Sequence, residues 1–598
     1  MTETKTKTST RALLITLAIL ILLSVMNWGV VSGWGNVRIE RIKLMGDDGH
    51  EYSALMYIPK NATNATPAPA IVMYHGGNGN ARNHEAWSLE FSRRGYVALS
   101  VDYGGNGVTE TSGKASTGDS SSLPTCEFFM DYAMMCPFID PDRIISSGHS
   151  AGSEMALLVG IEYDTAAVLA CSGIRPLASN GYTGNLQASL GTVEPYDTVQ
   201  KGLETFTANA RLSGIDIPEG QFVEYGHVYG SFEEGNAHKY LSVEKQIHEG
   251  VFIDKNLIRE IVNFSQEAIP APNPIDPDDQ IWQWKDVIGF ISMLAFLAFL
   301  LALALFLIDH VTFFQDIKQP MPRNIGLRGP GLAISVAAAI IFPIVCLYTG
   351  SFGITKLLGT KSTGFWFALG QTNRSFSLII GLTLFSILML CLFIFTDGKK
   401  QNAKLEDFGL TRAGMNRLDW RLIGKALGLA VTVIFIGFTY LSIVEDVLGT
   451  DIYCLFFGYK PVPSNRLPYY LPYIAVFILC FIVSALGMNV ERRLPDSGNP
   501  TKDLVVSMAV NAVLSTFSVT LMVAIQHIMQ VEVLPGGTRA LASWGIDITR
   551  LWGMPAGMLI AGLGSTFLYR KTGSIWVGAF TMGILCALGS VLYGTHVL

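Results

Sequence analysis

Runs of about 20 apolar residues constrain this chain more than any other feature, because an uncharged segment of that length can cross a bilayer as a helix. The first run is residues 12–31, and eight more follow residue 281. We therefore predict a transmembrane signal anchor at 12–33 and a membrane domain of about eight transmembrane helices at 282–598. The eight later runs are residues 287–308, 331–349, 376–395, 426–444, 471–490, 504–525, 551–569 and 574–593.

The low charge content supports a lipid environment. Only 15% of the residues are charged, whereas soluble chains average about 25%. A net charge of −6 gives no reason to expect nucleic acid as a partner, since nucleic acid binding calls for a basic patch. The sequence therefore predicts the lipid bilayer as the surrounding medium, and it does not indicate an oligomeric state.

The positions of Lys and Arg predict which side of the membrane each part faces. With residues 1–11 as a cytoplasmic tail, the predicted inside segments carry 18 Lys and Arg residues and the outside connections between the later spans carry 7. This asymmetry follows the positive-inside rule. We expect a multi-pass protein of the cell membrane, with residues 37–268 extracytoplasmic.

Residues 37–268 have ordinary charge density and short apolar runs. A hairpin pattern opens the segment, and five short apolar runs then alternate with stretches that can hold a helix. Alternation of this kind predicts βαβ units and a mainly parallel sheet. A final helix is predicted behind a cap at Asp254. Four prolines then mark residues 269–281 as a Pro/Asp-rich linker, which we expect to be extended, exposed and stiff.

The pentapeptide Gly148-His149-Ser150-Ala151-Gly152 lies between a predicted strand, RIISS, and a predicted helix. A serine on a sharp strand-to-helix turn is lifted out of the sheet, and glycines leave room on both sides of such a turn. A serine hydroxyl also needs a base to become a good nucleophile. The setting predicts Ser150 as a catalytic nucleophile, with His149 at the variable position of the motif.

This segment resembles the α/β-hydrolase superfamily, close in pattern to its dienelactone-hydrolase and serine-esterase branches. The resemblance lies in HGGNGN (75–80), RRGYVALSVDYGGNG (93–107) and DPDRIISSGHSAG (140–152), and it covers about 230 of the 598 residues. It implies an α/β-hydrolase fold with helices on both faces of the sheet, and a catalytic triad in the chain order Ser, acid, His.

The implied order directs the search for the base. His227, His238 and His248 follow Ser150 in the domain. A catalytic His belongs between the last strand, predicted as KYLSV, and the last helix, so His248 fits best. His238 precedes that strand and remains the alternative base. We expect His227 and His238 at the surface.

The acid should follow the predicted strand NLQASLG. Glu194 lies three residues beyond its last glycine, where the family usually has Asp, and Asp197 is the alternative acid. Whichever residue it is, the acid would orient the imidazole of the base and stabilise the imidazolium. The resemblance also implies that the backbone N–H groups of Gly77 and Ala151 form the oxyanion hole.

These features predict a membrane-tethered serine hydrolase that cleaves carboxylic esters through an acyl-enzyme, without cofactor or metal. Its substrate would be a small-molecule ester or a lipid or cell-envelope ester. Two alternatives stay open: a transporter or sensor whose outer domain binds ligand without catalysis, and a peptidase with the same triad. Among the polar residues near the spans, Glu445 and Asp446 are expected at an outer helix end, where water reaches them.

Overall fold

The computed structural model describes most of the chain. The described residues are 2–77, 79–109, 122–177, 181–192, 194, 198–349, 366–369, 372–454, 457–464, 466–532 and 553–592.

A nine-stranded sheet forms the first half of the chain, and its order is β1-β2-β4-β3-β5-β6-β7-β9-β8. The predicted hairpin is confirmed, since β1 and β2 pair antiparallel with Ile42 opposite Ala54. From β4 to β9 every neighbouring pair is parallel, as the alternating pattern predicts. The strands are β1 Val37–Met45, β2 Glu51–Pro59, β3 Ala68–Tyr74, β4 Val97–Asp102, β5 Ile139–His149, β6 Ala167–Cys171, β7 Asn185–Gly191, β8 Val228–Tyr229 and β9 His238–Val243.

Helices cover both faces of this sheet. Successive residues of a strand point to opposite faces, and in β3 Val72 and Tyr74 join one apolar core while Ile71 and Met73 join the other. This explains why the central strands read as continuous apolar runs rather than alternating ones. Three helices pack on the first face and two on the second; in chain order they are α2 Glu85–Arg93, α3 Leu123–Met135, α4 Ala151–Glu162, α5 Val199–Leu212 and α6 Lys255–Ala268.

Helix α6 begins where its sequence predicts. The Asp254 carboxylate accepts a hydrogen bond from the Leu257 N–H at 2.8 Å, which satisfies one of the free amide groups of the first turn. Leu257, Ile258 and Ile261 are buried against the sheet. The helix thereby fixes the loop that precedes it, which carries His248.

Each predicted apolar run coincides with a helix over the residues that the structure describes; residues 551, 552 and 593 of the last two runs lie outside them. The helices are α1 Thr2–Ser32, α7 Trp282–His310, α8 Gly329–Thr349, α9 Thr372–Phe393, α10 Trp420–Leu448, α11 Leu467–Leu486, α12 Pro500–Glu532, α13 Met554–Thr572 and α14 Ile575–Val591. Within the described residues, six helical segments are long and apolar enough to cross a membrane, namely 7–32, 282–310, 376–398, 420–448, 467–491 and 500–524. Of the rest, 329–343 and 575–591 are shorter apolar helices.

The linker is mostly exposed, and it is held against the sheet domain by two buried side chains. The Arg94 guanidinium donates to the backbone carbonyls of Ile275, Asp276 and Asp279 at 2.7–3.3 Å. Glu90 pairs with Arg94 at 2.8 Å and accepts the N–H of Ile281. These bonds set the direction in which the chain enters α7.

Ion pairs join the sheet domain to the apolar helices. Arg82 lies 3.2 Å from Asp451, both side chains being 1% exposed. Arg41 contacts Glu445 at 2.8 Å, and the Glu445 side chain is 15% exposed. The sheet domain covers this carboxylate in part, so water reaches it less freely than expected, whereas Asp446 is exposed, as expected.

Candidate active site

Ser150 occupies a strained turn between β5 and α4. Its backbone has φ 56° and ψ −118°, a left-handed conformation that costs about 1–3 kcal/mol in a non-glycine residue. The Ser150 N–H donates to the Cys171 carbonyl at 2.8 Å and so anchors the turn. A Cβ at Gly148 would overlap the Gly152 carbonyl, and one at Gly152 would overlap the Tyr74 carbonyl. Both glycines are therefore required by space.

The side chains of Ser150, His248 and Glu194 form one hydrogen-bonded chain. His248 Nε2 lies 2.8 Å from Ser150 Oγ, and His248 Nδ1 lies 2.6 Å from Glu194 Oε2. His248 and Glu194 are 5% and 6% exposed. Because a carboxylate only accepts, Nδ1–H donates to Glu194, and Nε2 is left to accept the Ser150 hydroxyl proton. This is the tautomer that a general base requires.

The sheet topology explains why residues so far apart in sequence meet. Ser150 follows β5 and Glu194 follows β7, while His248 opens a 3₁₀ turn after β9. These strands are parallel, so their carboxyl ends lie along one edge of the sheet. The alternative acid, Asp197, lies outside the described residues.

The alternative base, His238, lies elsewhere. It is the first residue of β9, at the opposite end of the strand from the triad, and its Nδ1 bonds the Asn236 carbonyl at 2.9 Å. The expectation that it lies at the surface is wrong, since it is fully buried, and burial lowers the pKa of its imidazole. His227 is exposed, as expected.

The two residues expected to form the oxyanion hole lie beside Ser150. Gly77 and Ala151 line the same cavity as Ser150. Ala151 is the first residue of α4, and the N–H of a first helical residue has no acceptor within its helix. That amide is therefore available to an oxyanion at Ser150.

His149 has a position that its sequence setting does not reveal. Its Nε2–H donates to the His248 carbonyl at 2.9 Å, and its ring packs 4.7 Å from the His248 ring and 4.6 Å from Phe252. Burial, reinforced by His248, lowers the pKa of His149 well below its ordinary value. His149 is thus a neutral side chain that holds the backbone and ring of His248 in place.

His75 has a comparable role beneath the oxyanion loop. Its ring stacks on Tyr103 at 4.1 Å, and its Nδ1–H donates to the Gly76 carbonyl at 2.7 Å. Burial lowers the pKa of His75 to about 4, so the ring is neutral. The residues HGG were expected to form this loop, but the stacking on Tyr103 depends on tertiary contact. In the described part of the chain, no three His, Cys, Asp or Glu side chains are arranged to hold a metal ion.

No family model matches the chain, and no curated protein matches it. Solved structures do match part of the chain. Est1E from Butyrivibrio proteoclasticus, solved with ferulic acid, is 16% identical, with TM-score 0.28, over 38% of this chain and 96% of that one. Esterase LipW from Mycobacterium marinum is 14% identical, with TM-score 0.29, over 43% and 89%. Thermogutta terrifontis esterase 2 is 14% identical, with TM-score 0.28, over 39% and 92%. Since these TM-scores lie below 0.5, the geometry of the site alone supports the function proposed below.

Proposed function

We propose that this protein is a membrane-tethered serine hydrolase that cleaves carboxylic esters outside the cytoplasm. One observation carries the proposal: the chain of hydrogen bonds from Glu194 through His248 to Ser150, at 2.6 and 2.8 Å. A binding module has no need of a serine strained at the end of a strand and joined to a base and a buried acid.

In the first half of the reaction, Ser150 Oγ attacks the carbonyl carbon of the ester while its proton passes to His248 Nε2. The negative charge on the carbonyl oxygen is stabilised by the N–H groups of Ala151 and Gly77, each worth about 2.7–4 kcal/mol in such sites. Glu194 holds the imidazolium in place. When the tetrahedral intermediate collapses, the bond to the alcohol breaks, and His248 returns the proton to the leaving oxygen. Ser150 is left as an acyl ester.

Water completes the cycle. His248 takes a proton from a water molecule, whose oxygen attacks the acyl carbon. Collapse of the second intermediate breaks the bond to Ser150 Oγ, which recovers the proton. The net change is ester plus water to carboxylic acid plus alcohol, and no cofactor takes part.

The six long apolar helices in the part of the chain that the structure describes support the membrane setting, as does the distribution of Lys and Arg. Residues 37–268 should then be digested when a protease is added outside intact cells. Protection of this segment until the membrane is permeabilised would place the site in the cytoplasm.

The triad is tested with the full chain, a fluorophosphonate probe and p-nitrophenyl butyrate. Ser150→Ala should abolish labelling and lower kcat at least about a thousandfold, and His248→Ala should cost about as much, because the triad acts as a unit. Glu194→Gln should cost less than either. His238→Ala is the matched control, since it also removes a buried imidazole but lies at the other end of β9.

Each result separates the candidate functions. A wild-type protein that neither reacts with the probe nor turns over esters would favour the transporter or sensor. Turnover of amides at the expense of esters would favour a peptidase. Loss of activity in His238→Ala but not in His248→Ala would overturn the assignment of the base.

A further inference from the structure

The cavity beside Ser150 continues from the sheet domain into the bundle of apolar helices. Its volume is about 580 Å³, within the range of about 300–1,000 Å³ that is usual for ligand sites. On the sheet side it is lined by His149, Ser150, His248 and Phe252. On the helix side it is lined by residues of α8, α9, α11, α12, α13 and α14. The lining residues of α11 are Phe477, Cys480, Phe481 and Ser484, and Met488 lies just beyond its end.

The helix wall is long. Phe477, Phe481, Ser484 and Met488 follow one another along one face of α11 and the turn after it, at the helical spacing of three to four residues. At 1.5 Å per residue they span about 16 Å along the axis. The hydrocarbon core of a bilayer is about 30 Å thick, so this wall is as long as one leaflet.

Several hydroxyl groups on this wall already donate a hydrogen bond within their own helix. Thr383, Ser515 and Ser590 each donate to a backbone carbonyl one turn earlier in their own helix, at 2.6–2.8 Å. Their remaining surface is hydrocarbon, like that of the neighbouring Leu382 and Phe385. These three hydroxyls have no proton left to donate to a polar ligand, whereas an alkyl chain needs none.

We propose that the substrate is an ester with a long hydrocarbon chain, which lies in this cavity while the ester carbonyl lies at Ser150. The proposal rests on the hydrolase function above and names its substrate class. Hydrolysis proceeds as already written, with water as the second reactant. The chain belongs either to the acyl group or to the alcohol, and the two are distinguished by the choice of ester.

Helix α8 offers a matched pair of substitutions. Ala339 lines the cavity, whereas Ala337, two residues earlier, is exposed on the other side of the same helix. Ala339→Phe should fill part of the cavity, and Ala337→Phe adds the same ring outside it. Each methylene that loses its apolar contact weakens binding by a factor of about four, so exclusion of a few is measurable.

The assay compares kcat/KM of the full-length protein for p-nitrophenyl palmitate, p-nitrophenyl butyrate and hexadecyl acetate. The wild type should prefer a C16 ester to butyrate at least tenfold, and Ala339→Phe should lower that ratio at least tenfold. Ala337→Phe should keep the wild-type ratio. Preference for palmitate places the chain on the acyl side, and preference for hexadecyl acetate places it on the alcohol side. Equal ratios in the wild type and both variants would overturn the proposal.

A second measurement does not depend on how the variants fold. A long-chain alkyl fluorophosphonate with a terminal diazirine should label Ser150 and, on illumination, crosslink to residues 477–488. Ser150→Ala is the control without labelling. Labelling of Ser150 with crosslinks only within residues 37–268 would overturn the substrate class and leave the hydrolase intact. Absence of any labelling in the wild type would overturn the hydrolase itself.

Discussion

Replacing Arg82 by Met should weaken the junction between the sheet domain and the apolar helices. The guanidinium is 1% exposed and lies 3.2 Å from Asp451 Oδ2 and 3.2 Å from Glu85 Oε1. It also donates to the Gly449 carbonyl at 3.1 Å. Met has a similar length and fills much of the same space, so the substitution removes charge and hydrogen bonds more than volume.

The size of the loss in stability depends on the charges that remain buried after the substitution. Removal of one partner from a buried ion pair costs about 3–5 kcal/mol, because the other charge stays buried without compensation. Glu85 keeps a second cation, Lys285, at 2.8 Å. Asp451 depends more strongly on Arg82, since burial already raises the pKa of Asp451 to about 6 against the pull of that guanidinium.

The loss should depend on pH with a defined sign. Without Arg82 the folded-state pKa of Asp451 rises further above its unfolded value of 3.8. An acid whose pKa is higher in the folded state lowers the free energy of unfolding as pH rises. It has no such effect at a pH where it is protonated in both the folded and the unfolded state. The variant should therefore lose about 3–5 kcal/mol of unfolding free energy at pH 8 and clearly less at pH 5. Urea unfolding of the full chain in one detergent, followed by Trp fluorescence, measures both.

Two controls make the measurement specific. Arg38→Met removes an ion pair with Glu40 whose side chains are 65% and 40% exposed, and it should cost at most about 1 kcal/mol at either pH. Arg82→Met combined with Asp451→Asn should recover part of the loss, since no charge is then stranded at 451. A loss equal to that of Arg38→Met, or one that is the same at pH 8 and pH 5, would refute the reasoning.

Two further predictions concern packing and the linker. Gly152→Ala should abolish fluorophosphonate labelling because the added Cβ would overlap the Tyr74 carbonyl. Gly424→Ala should label normally, since a Cβ added there meets no neighbouring atom within 4 Å. Equal labelling of the two variants would show that the turn at Ser150 tolerates a methyl group. Arg94→Met should expose residues 273–279 to proteinase K at least tenfold faster, since the guanidinium donates to three linker carbonyls. Arg143→Met removes a partly exposed ion pair with Asp140 and should leave the rate of linker cleavage unchanged. Unchanged cleavage in both variants would mean that other contacts hold the linker.

Local patterns were enough to predict the sheet and Ser150, whereas Glu194 and His248 were selected by the chain order that the resemblance to the α/β-hydrolase superfamily implies. Short apolar runs predict the strands. The carboxyl ends of parallel strands lie at the same edge of a sheet, so this part of the prediction requires no information on side-chain packing. The start of β9 was harder to predict, because His238 is polar and yet lies fully buried beside Asn236. The burial of His238 results from tertiary packing, and the hydrophobic periodicity of the sequence does not predict it.

Contacts between the two halves of the chain could not be predicted for the same reason. Arg82 and Asp451 are each ordinary charged residues in their own segments, and Glu445 looks like a helix end in water. Their partners lie hundreds of residues away in the chain, so only the folded arrangement reveals that the charges are buried together. The composition of the sequence predicts where one domain gives way to the next, and it is silent on how tightly they are joined.

The junction and the cavity share a wall, and this links stability to the proposed substrate. Asn83, next to Arg82, lines the cavity and donates to the Tyr453 hydroxyl at 3.4 Å; Tyr453 lines it too and lies two residues from Asp451. The ion pair therefore holds the segments where the sheet domain meets the helices. The triad needs none of these contacts, since β5, β7 and β9 position it. Loosening the junction should widen the cavity along its apolar wall, while Ser150 still reacts with a small probe. A weakened junction should therefore abolish the preference for long-chain esters before it lowers the reactivity of Ser150.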